Sequence, residues 1–259
     1  MTGSTSGIGA ATAKRLAAEG ARVVVHGRSA DRAHDVAADI RAAGGDAIVV
    51  LGDLGSDAGA ALIVREIEAS FGGIDILVNN LGDAGAQKDD WLSVDPDGWA
   101  EAYNVNVLSC VRTVRAFVPG MKATGWGRVV NIASGAYATP PPDFPAYGPA
   151  KAALVNLGVS LSKSLSCTGI TVNTVSPGLV LTDAMRTILP QIGRSRGWEE
   201  TDLAGLETRF VRDMWPNLIG RTGRPEEIAA LIAYVASDLA GYTNGANFRI
   251  DGGAAGIPF

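Results

Sequence analysis

Tyr147 and Lys151 stand four residues apart in a stretch with a helical pattern, so their side chains share one helix face. A free tyrosine has a pKa near ~10 and is a poor proton donor or base at neutral pH. A neighbouring ammonium group favours the phenolate and lowers that pKa. Lowering it by ~2–3 units takes ~3–4 kcal/mol of differential stabilisation. Taken alone, such a pair is usually an inert contact, so its meaning depends on the residues around it.

A glycine-rich segment opens the chain and leads directly into a predicted helix. It reads Thr2-Gly3-Ser4-Thr5-Ser6-Gly7-Ile8-Gly9, which is Gly-x-x-x-Gly-x-Gly rather than Gly-x-Gly-x-x-Gly. Glycines let the backbone approach a pyrophosphate, and the N–H groups at a helix N-terminus carry partial positive charge. The segment predicts a phosphate site, with an ordinary glycine-rich turn as the alternative.

Composition excludes several classes of protein. The 259 residues carry 27 acidic and 22 basic side chains, a net charge of -5 that argues against a nucleic-acid-binding surface. Hydrophobic residues make up 47% and charged residues 19%, which is the balance of a folded chain. No apolar run approaches the ~18 residues of a membrane span, and the N-terminus lacks a secretory signal pattern. We expect a cytoplasmic protein without nucleic-acid or membrane partners.

Cysteine and histidine are scarce, which limits metal chemistry. Cys110 and Cys167 form no Cys-x-x-Cys, so neither a disulfide framework nor a cysteine-rich zinc site is expected. The two histidines are His26 and His34, and neither His-Glu-x-x-His nor Gly-x-Ser-x-Gly occurs. The sequence predicts no metal site.

Strand-like runs alternate with helical patterns along the chain. The strand-like runs are rich in Val and Ile, as in strands buried on both faces; they are 21–26, 46–51, 74–79, 128–133, 170–176 and 246–251. The helical stretches are about 8–19, 30–42, 58–71, 96–123, 146–166 and 225–237. This order predicts an α/β fold with a doubly wound parallel sheet.

No linker, repeat or low-complexity tract divides the chain, so residues 1–259 are predicted to form one domain. One long stretch, about 183–218, has no assigned element and holds Trp198, Phe210 and Trp215. Long loops in compact domains are usually functional. We expect this stretch to be a lid over a substrate site.

Five motifs in register give the chain a resemblance to a known family. They are residues 2–9, Asn79-Asn80-Leu81-Gly82, Asn106, Ser134 with Tyr147-x-x-x-Lys151, and Ser176-Pro177-Gly178 followed by Thr182. The chain resembles the short-chain dehydrogenase/reductase family over its whole length, and residues 125–128 and 251–253 are similar to its 3-oxoacyl-carrier-protein reductase type. The resemblance implies a single-domain Rossmann-type fold. It also implies an NAD(P)H-dependent oxidoreductase that moves a hydride between nicotinamide and a carbonyl or alcohol.

The resemblance implies catalytic roles for four residues. Tyr147 would be the general acid in carbonyl reduction and the general base in alcohol oxidation. Lys151 would tune Tyr147 and hold the nicotinamide ribose, and Asn106 would help hold a water for a proton relay. Ser134, at the carboxyl end of a predicted strand, would hydrogen-bond the substrate oxygen as negative charge develops there.

The resemblance also implies the residues that contact the cofactor. Asp53 and Leu54 would flank the adenine, Val180 and Thr182 would meet the nicotinamide carboxamide, and Asn79 would brace backbone. The complete set of expected cofactor contacts is Gly3, Ser4, Thr5, Ser6, Gly7, Ile8, Arg28, Asp53, Leu54, Asn80, Leu81, Gly82, Tyr147, Lys151, Pro177, Gly178, Val180 and Thr182.

Arg28 bears on which dinucleotide binds. A ribose-reading residue is expected about 20 positions past the glycines, where an acid would favour NAD. This chain instead has Gly27-Arg28-Ser29 after the strand that ends at His26. A planar guanidinium pairs well with a 2′-phosphate. We expect NADP(H) to be preferred and NAD(H) to be the alternative; Asp31 is interpreted as a surface or capping acid.

One feature departs from the family pattern. In the family a central strand directly precedes the Thr-Gly motif, whereas only Met1 stands there in this sequence. Without that strand its neighbours would lie ~9–10 Å apart, twice the usual spacing. Backbone groups would then be buried unpaired. We expect a missing first strand, either from a shortened start of the sequence or from a true truncation with a damaged phosphate site.

Aromatic residues bear on the substrate. Packing explains each aromatic residue taken singly, but together they predict that the substrate is a mainly apolar ketone or alcohol. The residues are Trp91, Tyr137, Phe144, Trp198 and Trp215, with the prolines 140–142. An acyl chain on an acidic carrier protein is an alternative. Its candidate docking bases are Lys122, Arg128, Arg194 and Arg196.

Helices 96–123 and 146–166 carry small and apolar residues on more than one face, so they need a cover beyond their own sheet. The resemblance implies that they pair subunits in a homodimer or homotetramer.

Two alternatives to a reductase stay open, because a fold does not fix a function. One is a catalytically impaired nucleotide-binding or scaffold protein, and the other is an isomerase, dehydratase or epimerase.

Overall fold

The computed structural model describes residues 1–85 and 91–256. The strands of this part of the chain are β1 (Arg22–Gly27), β2 (Asp46–Leu51), β3 (Ile76–Asn79), β4 (Gly127–Ile132), β5 (Ile170–Pro177) and β6 (Asn247–Ile250). The α-helices are α1 (Gly7–Ala18), α2 (Ala30–Ala42), α3 (Asp57–Phe71), α4 (Pro96–Tyr103), α5 (Ser109–Thr124), α6 (Tyr147–Ser164), α7 (Asp183–Ser195), α8 (Leu203–Met214) and α9 (Pro225–Ala236).

All strand pairs in the described part are parallel. β1 pairs with β2, and β3, β4, β5 and β6 form a second sheet in that order. Every residue of β4 is buried, as expected for a strand covered on both faces. The predicted α/β fold with a doubly wound parallel sheet is confirmed, and the predicted strand limits agree with the structure to within two residues.

Helices cover both faces of the strands and close two apolar cores. One core packs α1, α2 and α9 against the strands; its large buried residues include Leu16, Val36, Ile40, Ile228 and Ile232. The other packs α3 and α5 against them; its residues include Ile63, Ile67, Phe117, Met121 and Leu165. The layers hold the carboxyl ends of β1, β3, β4 and β5 along one edge.

Residues 1–4 fill the space between β1 and β3 at that edge. The Thr2 N–H donates to the Val78 carbonyl at 3.0 Å, and the Ser4 N–H donates to the His26 carbonyl at 2.8 Å. The Met1 amine donates to the Val24 carbonyl at 3.1 Å, and burial lowers its pKa to about 5. The split between the two sheets is therefore where the sequence predicts a strand to be missing, while the segment that carries the glycines is held on both sides.

A predicted single helix over 96–123 is interrupted. α4 runs into a π-helical segment, Asn104–Leu108, before α5 begins. The extra residue per turn places Asn106 on the buried side of the helix. π-helical segments inside α-helices occur frequently at functional sites.

The expectation of an irregular stretch over 183–218 is wrong, because α7 and α8 occupy most of it. Both helices have side-chain caps: Thr182 Oγ1 accepts from the Met185 N–H at 3.3 Å, and Asp202 Oδ1 accepts from the Gly205 N–H at 2.9 Å. They bury a shared apolar core around Leu189. Helical spacing of apolar residues and these two caps were present in the sequence, and the glycines and Pro190 masked them.

Candidate active site

The glycine-rich segment adopts a tight loop that ends in α1. Gly3 and Gly7 have φ of +59° and +51°, which favour glycine. A Cβ on Gly9 would lie 2.1 Å from the Gly3 carbonyl oxygen, so only glycine fits this turn. Asn80 braces the loop, since its Nδ2 donates to the carbonyls of Gly3 at 2.9 Å and Thr2 at 3.1 Å. A backbone cradle at a helix N-terminus is the arrangement that binds pyrophosphate.

A cavity of about 680 Å³ lies at the carboxyl ends of the strands, within the range of small-molecule and cofactor sites. Most residues predicted for the site line it. These are Gly3, Thr5, Ser6, Gly7, Ile8, Arg28, Asp53, Leu54, Asn80, Leu81, Gly82, Ser134, Tyr147, Lys151, Pro177, Gly178 and Thr182. The glycine loop and the three chemically active side chains therefore share one cavity.

Ser134, Tyr147 and Lys151 are brought together by β4 and α6. Ser134 follows β4, and its hydroxyl lies close enough to the Tyr147 hydroxyl to act on the pKa of that phenol. Tyr147 begins α6, which places Lys151 one turn later with its Nζ 5.6 Å from the centre of the Tyr147 ring. Lys151 Nζ donates to the Ile132 carbonyl at 3.1 Å. This geometry puts one hydroxyl donor, one phenol and one ammonium around a single point of the cavity.

Burial dominates the ionisation of this group. Burial raises the pKa of Tyr147; the Ser134 hydrogen bond acts to lower that pKa, and the Asp83 carboxylate raises it further. Burial also lowers the pKa of Lys151 to about 8. Desolvation of the phenol therefore outweighs the effect of Ser134 on the pKa of Tyr147. The expectation that Lys151 lowers this pKa beside a bound nicotinamide stays a prediction.

Asn106 does not line the cavity but supports its wall. Its Nδ2 donates to the carbonyls of Asp83 and Ala102, both at 2.9 Å, and its Oδ1 accepts from the Asp83 N–H at 3.2 Å. A Cβ on Gly82 would lie 2.7 Å from Lys151 Nζ and 2.9 Å from Asn106 Oδ1. Asn106 therefore fixes the loop after β3 close to Lys151, and its expected role in a water relay stays a prediction.

Ser4 and Val180 also lie outside the described lining. Ser4 is buried beneath the loop, where its Oγ accepts from the His26 N–H at 2.8 Å. Val180 forms a bridge with Gly223. These contacts shape the loops around the cavity, and the expected cofactor contacts of the two residues stay predictions.

A buried carboxylate supports the loop that carries Val180. Glu207 on α8 accepts from the Thr222 N–H at 3.0 Å, from the Thr222 hydroxyl, and from Arg224 at 2.7 and 3.0 Å. The Gly223 between them exchanges backbone hydrogen bonds with 179–181, both at 2.9 Å. These contacts anchor the segment from Pro177 to Thr182 to α8.

Asn79 braces side chains rather than backbone. Its Nδ2 donates to Asn131 Oδ1 at 3.0 Å, and its Oδ1 accepts from Thr113 Oγ1 at 2.7 Å. The three residues lie on β3, β4 and α5 and are buried. The network ties the strands beneath the catalytic edge.

Sequence reasoning missed several residues that line the cavity, among them Arg32 and Asp83. Arg32 lies one helical turn after Arg28, in the first turn of α2, and both are exposed. The spacing of four between these arginines was a readable signal. Asp83 carried no such signal, because only the Asn106 contacts turn the loop after β3 toward Tyr147.

The aromatic residues do not form the expected apolar lid. Trp198 and Trp215 pack into the core between α7 and α8, and the exposed Trp91 contacts Trp99 edge-on at 5.6 Å. None of the described residues that line the cavity is Tyr137, Phe144 or a tryptophan. Backbone and polar groups dominate the described wall, so the expectation of a mainly apolar pocket finds no support there.

Two of the candidate carrier-docking bases lie at the wrong edge. Arg128 is the second residue of β4, at the opposite end of the sheet, where it is buried over the Trp126 ring and donates to the Ser237 carbonyl at 3.3 Å. Lys122 lies in the last turn of α5, the helix that leads into β4. Arg128 therefore closes the base of the sheet, and neither residue can contact a partner docked at the cavity.

Among the described residues, no group of three or more His, Cys, Asp or Glu side chains is placed to hold a metal ion. No described helix is both long enough and apolar enough to cross a membrane.

Comparison with known proteins agrees with this geometry. Residues 3–255 match the family described as enoyl-(acyl carrier protein) reductase. The uncharacterized oxidoreductase YvaG of Bacillus subtilis is 34% identical over 98% of this chain and 94% of its own length.

Solved structures are similar as well. L-sorbose reductase from Gluconobacter frateurii, complexed with NADPH and L-sorbose, superposes with a TM-score of 0.92 at 32% identity, covering 99% of this chain and 95% of that one. A 3-oxoacyl (acyl-carrier-protein) reductase from Agrobacterium tumefaciens with NADP bound gives 0.84 at 34% identity, covering 97% and 92%. The chain belongs to the short-chain dehydrogenase/reductase family of oxidoreductases.

Proposed function

We propose that the protein is an NADPH-dependent carbonyl reductase that acts on a ketone or aldehyde of small-molecule size, with reduction of 3-oxoacyl-type carbonyls as one form of this reaction. The observation that carries the proposal is the shared cavity, where Ser134, Tyr147 and Lys151 lie beside the glycine-rich cradle. The cradle fits a pyrophosphate because positive-φ glycines open it and side chains are excluded from it. NADPH supplies the hydride for the carbonyl carbon when it is bound.

The chain's own residues would handle the substrate oxygen and its proton. Ser134 donates a hydrogen bond to the carbonyl oxygen as negative charge develops on it. Tyr147 transfers its phenolic proton to that oxygen, which completes the alcohol. Lys151 stabilises the phenolate that this transfer leaves, and its contact with the Ile132 carbonyl fixes the ammonium in place. In alcohol oxidation Tyr147 would accept the proton instead.

Arg28 and Arg32 would select the phosphorylated dinucleotide. Both line the cavity next to β1, where guanidinium groups can pair with a 2′-phosphate. We expect Arg28→Ala with Arg32→Ala to raise the Kd for NADPH roughly 10²- to 10⁴-fold, since each charged hydrogen bond is worth ~1.5–3 kcal/mol and the double variant loses one from each arginine. The Kd for NADH should change less than twofold, as measured by fluorescence quenching.

The exposed Arg15 on α1 is the control for this double variant, because it pairs with Glu19 away from the cavity. Arg15→Ala should leave both Kd values unchanged. Equal weakening of NADPH and NADH binding by the Arg28 and Arg32 substitutions would contradict the assignment.

A panel of ketones and aldehydes tests the proposed reaction. Purified protein with NADPH and each carbonyl compound should oxidise the cofactor, with the alcohol formed in equal amount by mass spectrometry. Binding of NADPH without its consumption across the panel would instead favour a nucleotide-binding or scaffold protein. The split between β1 and β3 is the structural feature that keeps that second candidate open. Substrate turnover with unchanged cofactor absorbance would indicate an isomerase, dehydratase or epimerase.

A second copy of the chain is the proposed cover for α5 and α6. A groove of about 690 Å³ on their outer side is lined largely by small and apolar side chains, including Val111, Val114, Ala152, Ala153 and Leu157. Helices with such faces need a partner surface. A homodimer or homotetramer in the cytoplasm is therefore part of the proposal.

A further inference from the structure

We propose that Asp83 sets the charge of the accepted substrate, so that the site favours uncharged carbonyl compounds over carboxylates. This inference rests on the proposed carbonyl reduction and deepens it. Asp83 directly follows the Asn79–Gly82 motif and lines the same cavity as Ser134 and Tyr147. A carboxylate there faces any group that the substrate carries beside its carbonyl.

The position of Asp83 is fixed by its backbone. Asn106 holds both its N–H, at 3.2 Å, and its carbonyl oxygen, at 2.9 Å. Its own Oδ1 accepts from the Gly85 N–H at 2.9 Å, which orients the carboxylate. One hydrogen bond to a neutral amide does not neutralise the negative charge, so the side chain retains it in the exposed mouth of the cavity.

The proximity of Asp83 to the reacting group has an electrostatic consequence. Both residues line the same cavity, and the carboxylate acts with burial to raise the pKa of Tyr147. The other charged side chains that line the cavity away from the arginines are Lys151 on α6, Glu101 on α4, Asp183 at the start of α7 and Asp53 after β2. The three carboxylates add to the negative charge of the lining.

Positive charge is placed elsewhere among the described lining residues. Arg28 and Arg32 are next to β1, at the other end of the cavity, and Lys151 is buried with its Nζ directed to the Ile132 carbonyl. A substrate carboxylate next to its reacting carbonyl would therefore meet Asp83 without a described cation to pair with it. An interaction between two charges ~7 Å apart in a medium between protein and water changes affinity by about 5- to 10-fold.

Acetoacetate and ethyl acetoacetate form a matched pair of probes, since they share the ketone and differ in one charge. The experiment measures kcat/KM for both with NADPH, and the Kd of both for the complex of the protein with NADP⁺. In Asp83→Asn, we expect both parameters to improve about 5- to 10-fold for acetoacetate and to change less than twofold for the ester. Asn retains the acceptor for the Gly85 N–H, so the turn is kept.

A second readout separates charge from shape. The Asp83→Asn substitution should lower the kinetic pKa of Tyr147 in alcohol oxidation, a change that a purely structural role would not cause. Asp46→Asn is the control, because it removes the same charge at the opposite edge of the sheet, where Asp46 pairs with Arg22. It should leave the probe ratio and the kinetic pKa unchanged.

The outcomes separate this inference from the proposed function. An unchanged ratio of the two probes in Asp83→Asn, in turnover or in binding, would overturn the role of Asp83 while leaving a working reductase. Absence of turnover for both probes, with the binding ratio still shifted by the substitution, would overturn the reductase and support the charge selection. Failure of both probes to bind, with no turnover, would overturn both.

Discussion

Tyr147→Phe is expected to lower kcat for carbonyl reduction roughly 10²- to 10⁴-fold, which is the usual contribution of a positioned general acid. The phenyl ring fills the same buried space, so the fold and the cavity are kept. The Kd for NADPH should change less than threefold, because the hydroxyl's partner is Ser134 rather than the glycine-rich cradle. Steady-state kinetics together with fluorescence quenching measure the two effects separately.

Tyr137→Phe is the matched control for this variant. Tyr137 lies in the short 3₁₀ helix after Ser134, and it does not belong to the described cavity lining. Its loss of a hydroxyl should leave kcat within twofold of the wild type. If Tyr147→Phe kept more than a tenth of the wild-type kcat, the proton would have to come from another group.

Lys151→Met is expected to abolish most activity and, at the same time, to stabilise the protein. Lys151 is buried, and burial lowers its pKa from 10.5 to about 8. At pH 7 the charged form then costs about 3 kcal/mol, since one pKa unit is ~1.4 kcal/mol. Loss of its hydrogen bond to Ile132 offsets ~1 kcal/mol of the gain. A net ~2 kcal/mol raises the Tm by several degrees in a chain of this size.

The stability gained by Lys151→Met should depend on pH. The folded state binds the Lys151 proton less tightly than the unfolded state, so the penalty is complete below pH 8 and disappears as the pH rises toward 10.5. The advantage of Lys151→Met in urea unfolding should therefore be largest at pH 7 and shrink above pH 8. A variant that is less stable than the wild type at pH 7 would show that Lys151 supports the fold rather than the chemistry.

The strands and the placement of Ser134, Tyr147 and Lys151 in one cavity were readable from the sequence for a physical reason. Buried parallel strands are continuous apolar runs, and β1, β2 and β4 follow them almost to the residue. Tyr147 and Lys151 are joined by one helical turn, so their spacing alone fixes that they lie together. The glycines at 3, 7 and 9 are required by local backbone geometry, which is equally a property of the sequence.

Features that depend on tertiary contacts were not readable. Burial raises the pKa of Tyr147, and that burial could not be predicted from the spacing of Tyr147 and Lys151. Asp83 enters the cavity because Asn106, 23 residues away, holds its backbone. Trp198 packs against the core between α7 and α8. No helix was predicted in this stretch, so the packing of Trp198 could not be predicted either. The sequence pattern predicts the secondary-structure elements and the motifs, whereas burial and long-range hydrogen bonds determine the pKa values and the orientations of the side chains.

Transfer of deuterium to a ketone from NADPH that carries deuterium at both C4 positions tests the central claim most directly. The measurement follows the mass of the alcohol product with the wild-type protein and with Tyr147→Phe. We expect one deuterium on the carbinol carbon of the wild-type product, and a rate reduced at least 10²-fold in the variant. Alcohol formed without deuterium, or no alcohol from a protein that binds NADPH, would contradict hydride transfer at the site built by Ser134, Tyr147 and Lys151.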